Sequence, residues 1–144
     1  MNLQEERLSG KHVFKGRIID LEVDQIQLPD GHNSIREVIN HPGGVAIAAL
    51  NERDELLMVR QFRYPFRTVL LELPAGKLEP GERSDPTSAA LRELHEEIGA
   101  VPGSFVPLGV LHSSPGIFTE TLYLYLARDL TFDAPDPDED EFLR

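Results

Sequence analysis

One segment of the chain carries strong helix signals, and strand-like segments flank it on both sides. Asp85 comes directly before Pro86, which is the favoured order at a helix start because Asp caps the first turn and Pro is pre-organised for it. Apolar side chains then recur at i, i+3 and i+7, namely Leu91, Leu94 and Ile98. Gly99 supplies the C-terminal stop, so the pattern predicts a helix from about Pro86 to Ile98.

Short segments of strand character, bounded by turn residues, make up most of the remaining chain. The predicted strands are His12–Leu28, Ser34–Asn40, Val45–Leu50, Glu55–Arg60, Val69–Leu73, Val106–Leu111 and Leu122–Leu126. A change of phase near Ile26 within the first segment indicates a bulge or two successive strands. Pro29-Asp30-Gly31 predicts the turn of a hairpin. Many strands around one helix predict an α+β domain.

The length of 144 residues predicts a single domain, residues 1–144. Within it we expect N-terminal strands over about residues 1–40 and a core over about residues 41–131. Residues 132–144 are rich in Asp and Glu and are expected to form an acidic loop or tail.

The composition excludes several classes of protein. Lys and Arg number 14 against 25 Asp and Glu, which gives a net charge of −11 and disfavours binding to nucleic acid or to an anionic membrane. The absence of cysteine excludes disulfides, thiolate metal sites and a cysteine nucleophile. The polar segment Met1–Lys11 lacks the apolar stretch of a signal peptide, and no stretch is long and apolar enough for a membrane span. We therefore expect a cytoplasmic protein.

Three glutamates lie close together on the predicted helix. Glu93, Glu96 and Glu97 are spaced i, i+3 and i+4, so their side chains share one face and can touch. Carboxylates alone suit hard divalent ions such as Mg²⁺ or Mn²⁺ better than Zn²⁺. Taken by itself, the helix favours an ordinary solvated acidic face, because like charges at this spacing cost only about 0.2–0.5 kcal/mol each.

The loop before the helix changes that interpretation. Residues Glu72–Glu82 form a Gly- and Pro-rich strand-to-helix connection with further acids, which can bring backbone groups close to a metal or a phosphate. Arg92 is placed to pair with a carboxylate of this loop. The alternative for Arg92 is a surface ion pair worth about 0–1 kcal/mol.

These residues resemble the signature of the Nudix hydrolase family. That signature is Gly, five residues, Glu, seven residues, Arg-Glu, an aliphatic, any residue, Glu-Glu, any residue, Gly and an aliphatic or small residue. The chain has Gly76, five residues, Glu82, nine residues and Arg92-Glu93-Leu94-His95-Glu96-Glu97-Ile98-Gly99-Ala100. The two additional residues align with Arg83-Ser84, in the loop just before the helix.

Further segments resemble the ADP-ribose pyrophosphatase branch of that family. They are Phe14-Lys15-Gly16, Pro29-Asp30-Gly31, His41-Pro42-Gly43, Arg60-Gln61-Phe62-Arg63-Tyr64-Pro65 and Leu73-Pro74-Ala75-Gly76. Pro115 lies sixteen residues past Gly99, at the position of the proline that marks this branch. Members usually continue past the acid-rich loop into another strand and helix, whereas this sequence stops at Arg144, so the protein is either short or truncated here.

The resemblance implies a fold and a reaction. The fold is a Nudix-type mixed β-sheet sandwich with the catalytic helix following a loop, plus an N-terminal β-strand segment. The reaction is divalent-metal-dependent hydrolysis of the pyrophosphate bond of ADP-ribose to AMP and ribose 5-phosphate. The expected metal is Mg²⁺ or Mn²⁺, with more than one ion.

The resemblance also assigns roles to individual residues. Glu93 and Glu97 would be direct metal ligands, Glu96 a further ligand and the Ala75 carbonyl another. Glu82 would orient the cluster through Arg92. The base that activates water would be Glu139 or its neighbour Glu141, and the alternative is that this run is a disordered acidic tail.

The candidate substrate-binding residues are Arg60, Arg63, Glu72, Pro115 and Glu120. Arginine suits phosphate because its forked donors match phosphate oxygens, and Glu72 could accept hydrogen bonds from a sugar or base. The alternative for each arginine is a charge on a strand surface.

Other functions remain open at this level. The same reaction could act on another nucleoside diphosphate sugar, such as GDP-mannose, or on a dinucleotide. A non-catalytic nucleotide-binding Nudix module would keep the fold without turnover. Members of the branch are commonly dimers whose N-terminal strands cross to the partner, so a homodimer is expected, with a small-molecule nucleotide as substrate.

Overall fold

A computed structural model describes residues 2–134 of the protein, and within that range the chain forms ten strands and one α-helix. The strands are β1 Glu6–Lys15, β2 Asp20–Gln27, β3 Asn33–Asn40, β4 Gly44–Leu50, β5 Leu56–Leu57, β6 Val59–Arg63, β7 Thr68–Glu72, β8 Ala75–Lys77, β9 Ala100–Leu111 and β10 Leu122–Phe132. Helix α1 is Pro86–Ile98, preceded by a 3₁₀ turn at Glu82–Ser84. The predicted α+β class is confirmed.

Two compact units make up the chain: Met1–Pro42 with His112–Glu120, and Gly43–Leu111 with Thr121–Arg144. The first unit contains the antiparallel sheet β1-β2-β3. The predicted hairpin turn is present, with the Gly31 amide donating to the Leu28 carbonyl at 2.9 Å. Residues 112–120 of this unit attach beside β3, where the Ile39 amide donates to the Ile117 carbonyl at 2.7 Å.

The first predicted strand, His12–Leu28, is two strands that separate at residues 16–19. Ile26 does not mark that break, because β2 pairs with β3 without a register shift and Ile26 is buried on the face opposite to Leu21. Strand β1 also begins earlier than expected, at Glu6. All ten of its residues are exposed, so no apolar alternation marks it in the sequence.

The second unit is built on a sheet with the strand order β5-β4-β10-β9, in which β8 pairs with β4. Strand β4 runs parallel to β10 and antiparallel to β5 and β8. Strands β6 and β7 form a separate two-stranded sheet. The predicted strand at 55–60 is therefore divided between β5 and β6, and the three-residue β8 was not predicted.

Helix α1 packs its small residues against this sheet. Its caps are as predicted: the Asp85 side chain accepts from the Ser88 amide, and Gly99 has the left-handed conformation (φ 65°) that ends the helix. The buried core consists of Val45, Ile47, Ala49, Leu78, Ala89, Ala90, Leu94, Ala100, Tyr125 and Ala127. The predicted stripe is wrong at Leu91, which is 38% exposed, because two alanines take the helix face closest to the sheet.

The helix length also bears on membranes. In residues 2–134, no helix is both long enough and apolar enough to cross a membrane.

Candidate active site

Strand β8 brings the loop before the helix against the helix glutamates. Its pairing with β4 fixes Gly76 opposite Val45. One residue earlier, the Ala75 amide donates a hydrogen bond to Oε2 of Glu97 at 3.1 Å. The Glu97 residue is only 8% exposed, so this bond compensates part of the cost of burying its carboxylate.

Glu93 lies against the backbone of Gly76. A Cβ at position 76 would overlap the carbon and both oxygens of the Glu93 carboxylate, so any side chain there would force that carboxylate out of its place. Glu93 is also 8% exposed. The two buried glutamates are i and i+4 on α1 and therefore share one face of the helix.

Arg92 joins the loop carboxylate to the helix carboxylates. Its guanidinium lies 3.2 Å from Glu82, 3.0 Å from Glu93 and 2.7 Å from Glu96. Burial lowers the pKa of Arg92, but the hydrogen bond to Glu82 and the charges of Glu93 and Glu96 outweigh burial and raise the pKa above its ordinary value. The cluster is thus held together by one permanent cation.

Glu82 keeps its contact with the helix despite the two additional residues Arg83-Ser84. Its two carboxylate oxygens accept from Arg92 at 3.2 Å each, and one also accepts from the Glu79 amide at 2.7 Å. The hydrogen bond from Arg92 and the Glu79 amide lower the pKa of Glu82. The additional residues form the 3₁₀ turn before α1, which absorbs the extra length.

The carboxylates of this cluster fit a hard divalent cation by their chemistry, since every candidate donor is an oxygen and two of the carboxylates are nearly buried. Among residues 2–134, however, no group of three or more His, Cys, Asp or Glu side chains is already arranged to hold an ion. Glu96 is paired with Arg92, and one oxygen of Glu97 accepts from the Ala75 amide.

The candidate substrate residues of the second unit lie on strands β6 and β7. Arg63 and Glu72 form a two-bond pair, with N–O distances of 2.8 and 2.7 Å. Arg60 is exposed and lies on the opposite face of β6, because alternate residues of a strand face opposite sides. The structure therefore brings Arg63 and Glu72 together and leaves Arg60 apart from them.

Pro115 and Glu120 belong to the first unit, in the segment attached to β3. Pro115 lies in a turn in which the Phe118 amide donates to the Ser114 carbonyl at 2.9 Å. Glu120 accepts a hydrogen bond from the Ser113 hydroxyl, and its carboxylate lies 3.7 Å from Nδ1 of His41. Glu139, the expected base, lies outside the described residues.

Sequence reasoning did not identify two contacts of the loop before the helix: the Glu79 amide donates to Glu82, and Gly44 lies close to the Gly76 carbonyl. The Glu79 amide has no sequence signal, because any residue but proline supplies one. Gly44 had a weak signal, the Gly43-Gly44 pair directly before the apolar strand β4. That pair suggested only a break between strands.

Family models match almost the whole chain. Residues 40–144 match the NUDIX domain, and residues 5–39 match the nucleoside diphosphate sugar hydrolase N-terminal domain. The organisation into a single domain, with boundaries near residues 40 and 131, stays a prediction.

Curated proteins and a solved structure are similar over the same extent. An ADP-ribose pyrophosphatase of Bacillus subtilis is 39% identical over an alignment that covers 99% of this chain and 77% of that protein. A methanol dehydrogenase activator of Bacillus methanolicus is 41% identical over 97% of this chain and 76% of its own length. An ADP-ribose pyrophosphatase of Mycobacterium tuberculosis is 38% identical over 87% of this chain and 60% of its own length. The crystal structure of an ADP compounds hydrolase superimposes with a TM-score of 0.84 at 25% identity, covering 100% of this chain and 78% of that one.

Proposed function

The chain belongs to the Nudix hydrolase family, as its sequence predicted, and from this premise we propose that it hydrolyses the pyrophosphate bond of ADP-ribose to AMP and ribose 5-phosphate. The observation that carries the proposal is the pair of buried carboxylates, Glu93 and Glu97, fixed against the loop residues Ala75 and Gly76. Two acids in a core-facing position are costly unless cations lie close to them; Arg92 supplies one at Glu93, and a divalent ion would supply more. The similarity to ADP-ribose pyrophosphatases supports the substrate.

Nudix hydrolases depend on divalent metal ions. For this chain we propose Mg²⁺ or Mn²⁺, with more than one ion, held by Glu93, Glu96, Glu97 and the Ala75 carbonyl. When bound, such ions polarise phosphoryl oxygens and lower the pKa of a coordinated water. The low exposure of Glu93 and Glu97 supports this assignment, because a nearly buried carboxylate interacts mainly with a partner in direct contact.

The protein side chains then act mainly by positioning. Arg92 holds Glu93 and Glu96 in place, while Glu82 keeps Arg92 attached to the loop. The backbone of Ala75 and Gly76 fixes where the two buried carboxylates lie. Since phosphoryl transfer depends on alignment and charge stabilisation, small displacements of these groups are expected to slow turnover.

Substrate contacts are proposed for five residues: Arg60, Arg63, Glu72, Pro115 and Glu120. Arg63 is already oriented by Glu72, which reduces the side-chain entropy lost when it binds a phosphate. Glu139 is proposed as the base that activates water, on the family resemblance alone.

The test is to incubate the protein with ADP-ribose and Mg²⁺ or Mn²⁺ and to separate the products. We expect AMP and ribose 5-phosphate in equal amounts, and a loss of turnover by orders of magnitude in Glu97→Gln. The matched control is Glu52→Gln, on an exposed turn. A folded sample that releases no AMP with either metal contradicts the proposal.

The second candidate is another nucleoside diphosphate sugar: residues 5–39 match the N-terminal domain of nucleoside diphosphate sugar hydrolases, a substrate class that includes ADP-ribose and GDP-mannose alike. A panel of nucleoside diphosphate sugars, including GDP-mannose, separates the two. A higher kcat/KM for another nucleotide sugar than for ADP-ribose would replace the first substrate while keeping the reaction.

We also propose a cytoplasmic homodimer. Large apolar side chains of the first unit are about half or more exposed, among them Leu8, Val13, Phe14, Ile18, Ile19 and Ile35. Such a surface is typical of a protein interface. Sedimentation equilibrium tests the dimer: a single species of 16.2 kDa at all concentrations contradicts it.

A further inference from the structure

Gly44 lies outside the Nudix signature but contacts the backbone of the loop that carries the candidate ligands. A Cβ at position 44 would lie 2.9 Å from the Gly76 carbonyl oxygen and 3.0 Å from Cδ2 of Leu122. The Gly76 carbonyl belongs to the backbone of a paired strand, so it cannot move away by a side-chain rotation. Cδ2 of Leu122 is the tip of a flexible side chain and can.

The steric effect at position 44 is separable from backbone conformation. Gly44 does not have a positive φ, so alanine is allowed there by its backbone angles. The residue is buried at the start of β4, where its amide donates to the Thr121 carbonyl at 3.0 Å. A methyl group at this position therefore acts by displacing Gly76.

Gly76 in turn determines where Glu93 lies, because the Glu93 carboxylate fills the space beside its Cα. The adjacent Ala75 amide binds Glu97. We propose that Gly44 is a positioning residue for the metal ligands: its missing side chain lets β8 approach β4 closely enough to place both buried carboxylates. The inference rests on the proposed function, since it takes Glu93 and Glu97 as metal ligands.

The experiment measures Mn²⁺ affinity by titration calorimetry for wild type, Gly44→Ala, Leu122→Ala and the double variant. We expect Gly44→Ala to raise the Kd for Mn²⁺ at least about 10-fold, the scale of changes made behind a metal ligand. We expect the same increase between Leu122→Ala and the double variant, because the contact with Gly76 remains when Leu122 is truncated. If Gly44→Ala does not fold, the Kd of Leu122→Ala is compared with the Kd of the double variant, and that comparison tests the role of Gly44.

Two further measurements separate positioning from general damage. The amide resonance of Ala75, which reports its bond to Glu97, is expected to shift in Gly44→Ala. Gly116→Ala, which meets no atom within 4 Å, is the matched control and should leave the Kd unchanged.

The outcomes distinguish this inference from the proposed function. If wild type binds Mn²⁺ through Glu97 but Gly44→Ala binds it equally well in the Leu122→Ala background, the role of Gly44 is wrong and the metal site stands. If wild type does not bind Mn²⁺, or binds it equally well in Glu97→Gln, the metal site and the role of Gly44 both fall.

Discussion

The two units of the chain are stabilised in different ways. The second unit has a dry core of aliphatic and aromatic side chains between α1 and its sheet, and the candidate ligands lie at the edge of that core. The first unit has one buried large apolar residue in its sheet, Ile26, and is joined across β1 and β2 by ion pairs such as Arg7 with Asp24 at 2.8 Å, in which Arg7 is exposed and Asp24 is partly buried. Surface ion pairs contribute little to stability, whereas buried side chains contribute a lot. We therefore expect the positions of the candidate ligands to depend on the packed core of the second unit.

The largest expected effect is in that core. Leu94→Ala removes a side chain with no exposure between α1 and the sheet, and we expect the free energy of unfolding to fall by about 2–5 kcal/mol. Urea unfolding followed by circular dichroism measures this. A loss below about 1 kcal/mol would show that α1 is held by something other than this core.

Next in size is the close contact between the loop and the helix. Gly76→Ala places a methyl group where the Glu93 carboxylate lies, so we expect turnover to fall by about 10²-fold while the fold is kept. Steady-state kinetics with ADP-ribose measures this. The neighbouring exposed variant Lys77→Ala is the control; an equal loss there would contradict a specific role for the contact with Glu93.

A smaller effect is expected from Glu82, because its pair with Arg92 is partly exposed to solvent and is screened by salt. The pKa of Glu82 is lowered in the folded protein, mainly by its hydrogen bond from Arg92. Its contribution is therefore fully present above the unfolded pKa of a glutamate and is lost as the pH falls through the folded pKa. Wild type and Glu82→Gln should differ in stability at neutral pH and converge in acid. A difference that stays constant with pH would rule out the ionised pair as its source.

The smallest effect is expected in the first unit. Leu8→Ala changes an apolar residue that is 50% exposed, so dilute protein should lose no more than about 0.5 kcal/mol of unfolding free energy. At concentrations where the proposed homodimer forms, the loss should increase. If Leu8→Ala lowers the unfolding free energy of dilute protein as much as Leu94→Ala does, the two units are not stabilised in different ways.

The helix was predictable because its signals are local. The cap at Asp85, the stop at Gly99 and the glutamate spacing all lie within one segment of sequence, and the helix begins and ends where they place it. Strand β1 was not predictable in full, because an exposed strand paired through charges carries no apolar period. The apolar spacing predicts one stripe through Leu91, Leu94 and Ile98, but Ala89 and Ala90 are the residues that pack against the sheet, and Leu91 stays exposed.

The roles of the candidate site residues stay predictions, and of their contacts only the pairing of Arg92 with a loop carboxylate was expected from the sequence. The sequence indicated that Arg92 would pair with a loop acid, but the distance from Glu82 after two extra residues depended on the 3₁₀ turn. The register of β6 with β7 places Arg63 opposite Thr68 and Glu72 opposite Val59, so the pairing of Arg63 with Glu72 depends on their side-chain conformations, which alternation does not determine. The nearness of Gly44 to Gly76, which are 32 residues apart in the sequence, depends on the pairing of β4 with β8.

The three ion pairs of Arg92 bear on the stability of the protein when no metal ion is bound. Because a built-in cation already balances part of the acid cluster, the scaffold does not depend on captured ions to reach its shape. Chelation should stop turnover and lower the melting temperature only by the linked binding energy of the ions, with the fold retained, unlike in small zinc domains that unfold when stripped. The protein can then exchange its ions freely with its surroundings and regain activity without refolding.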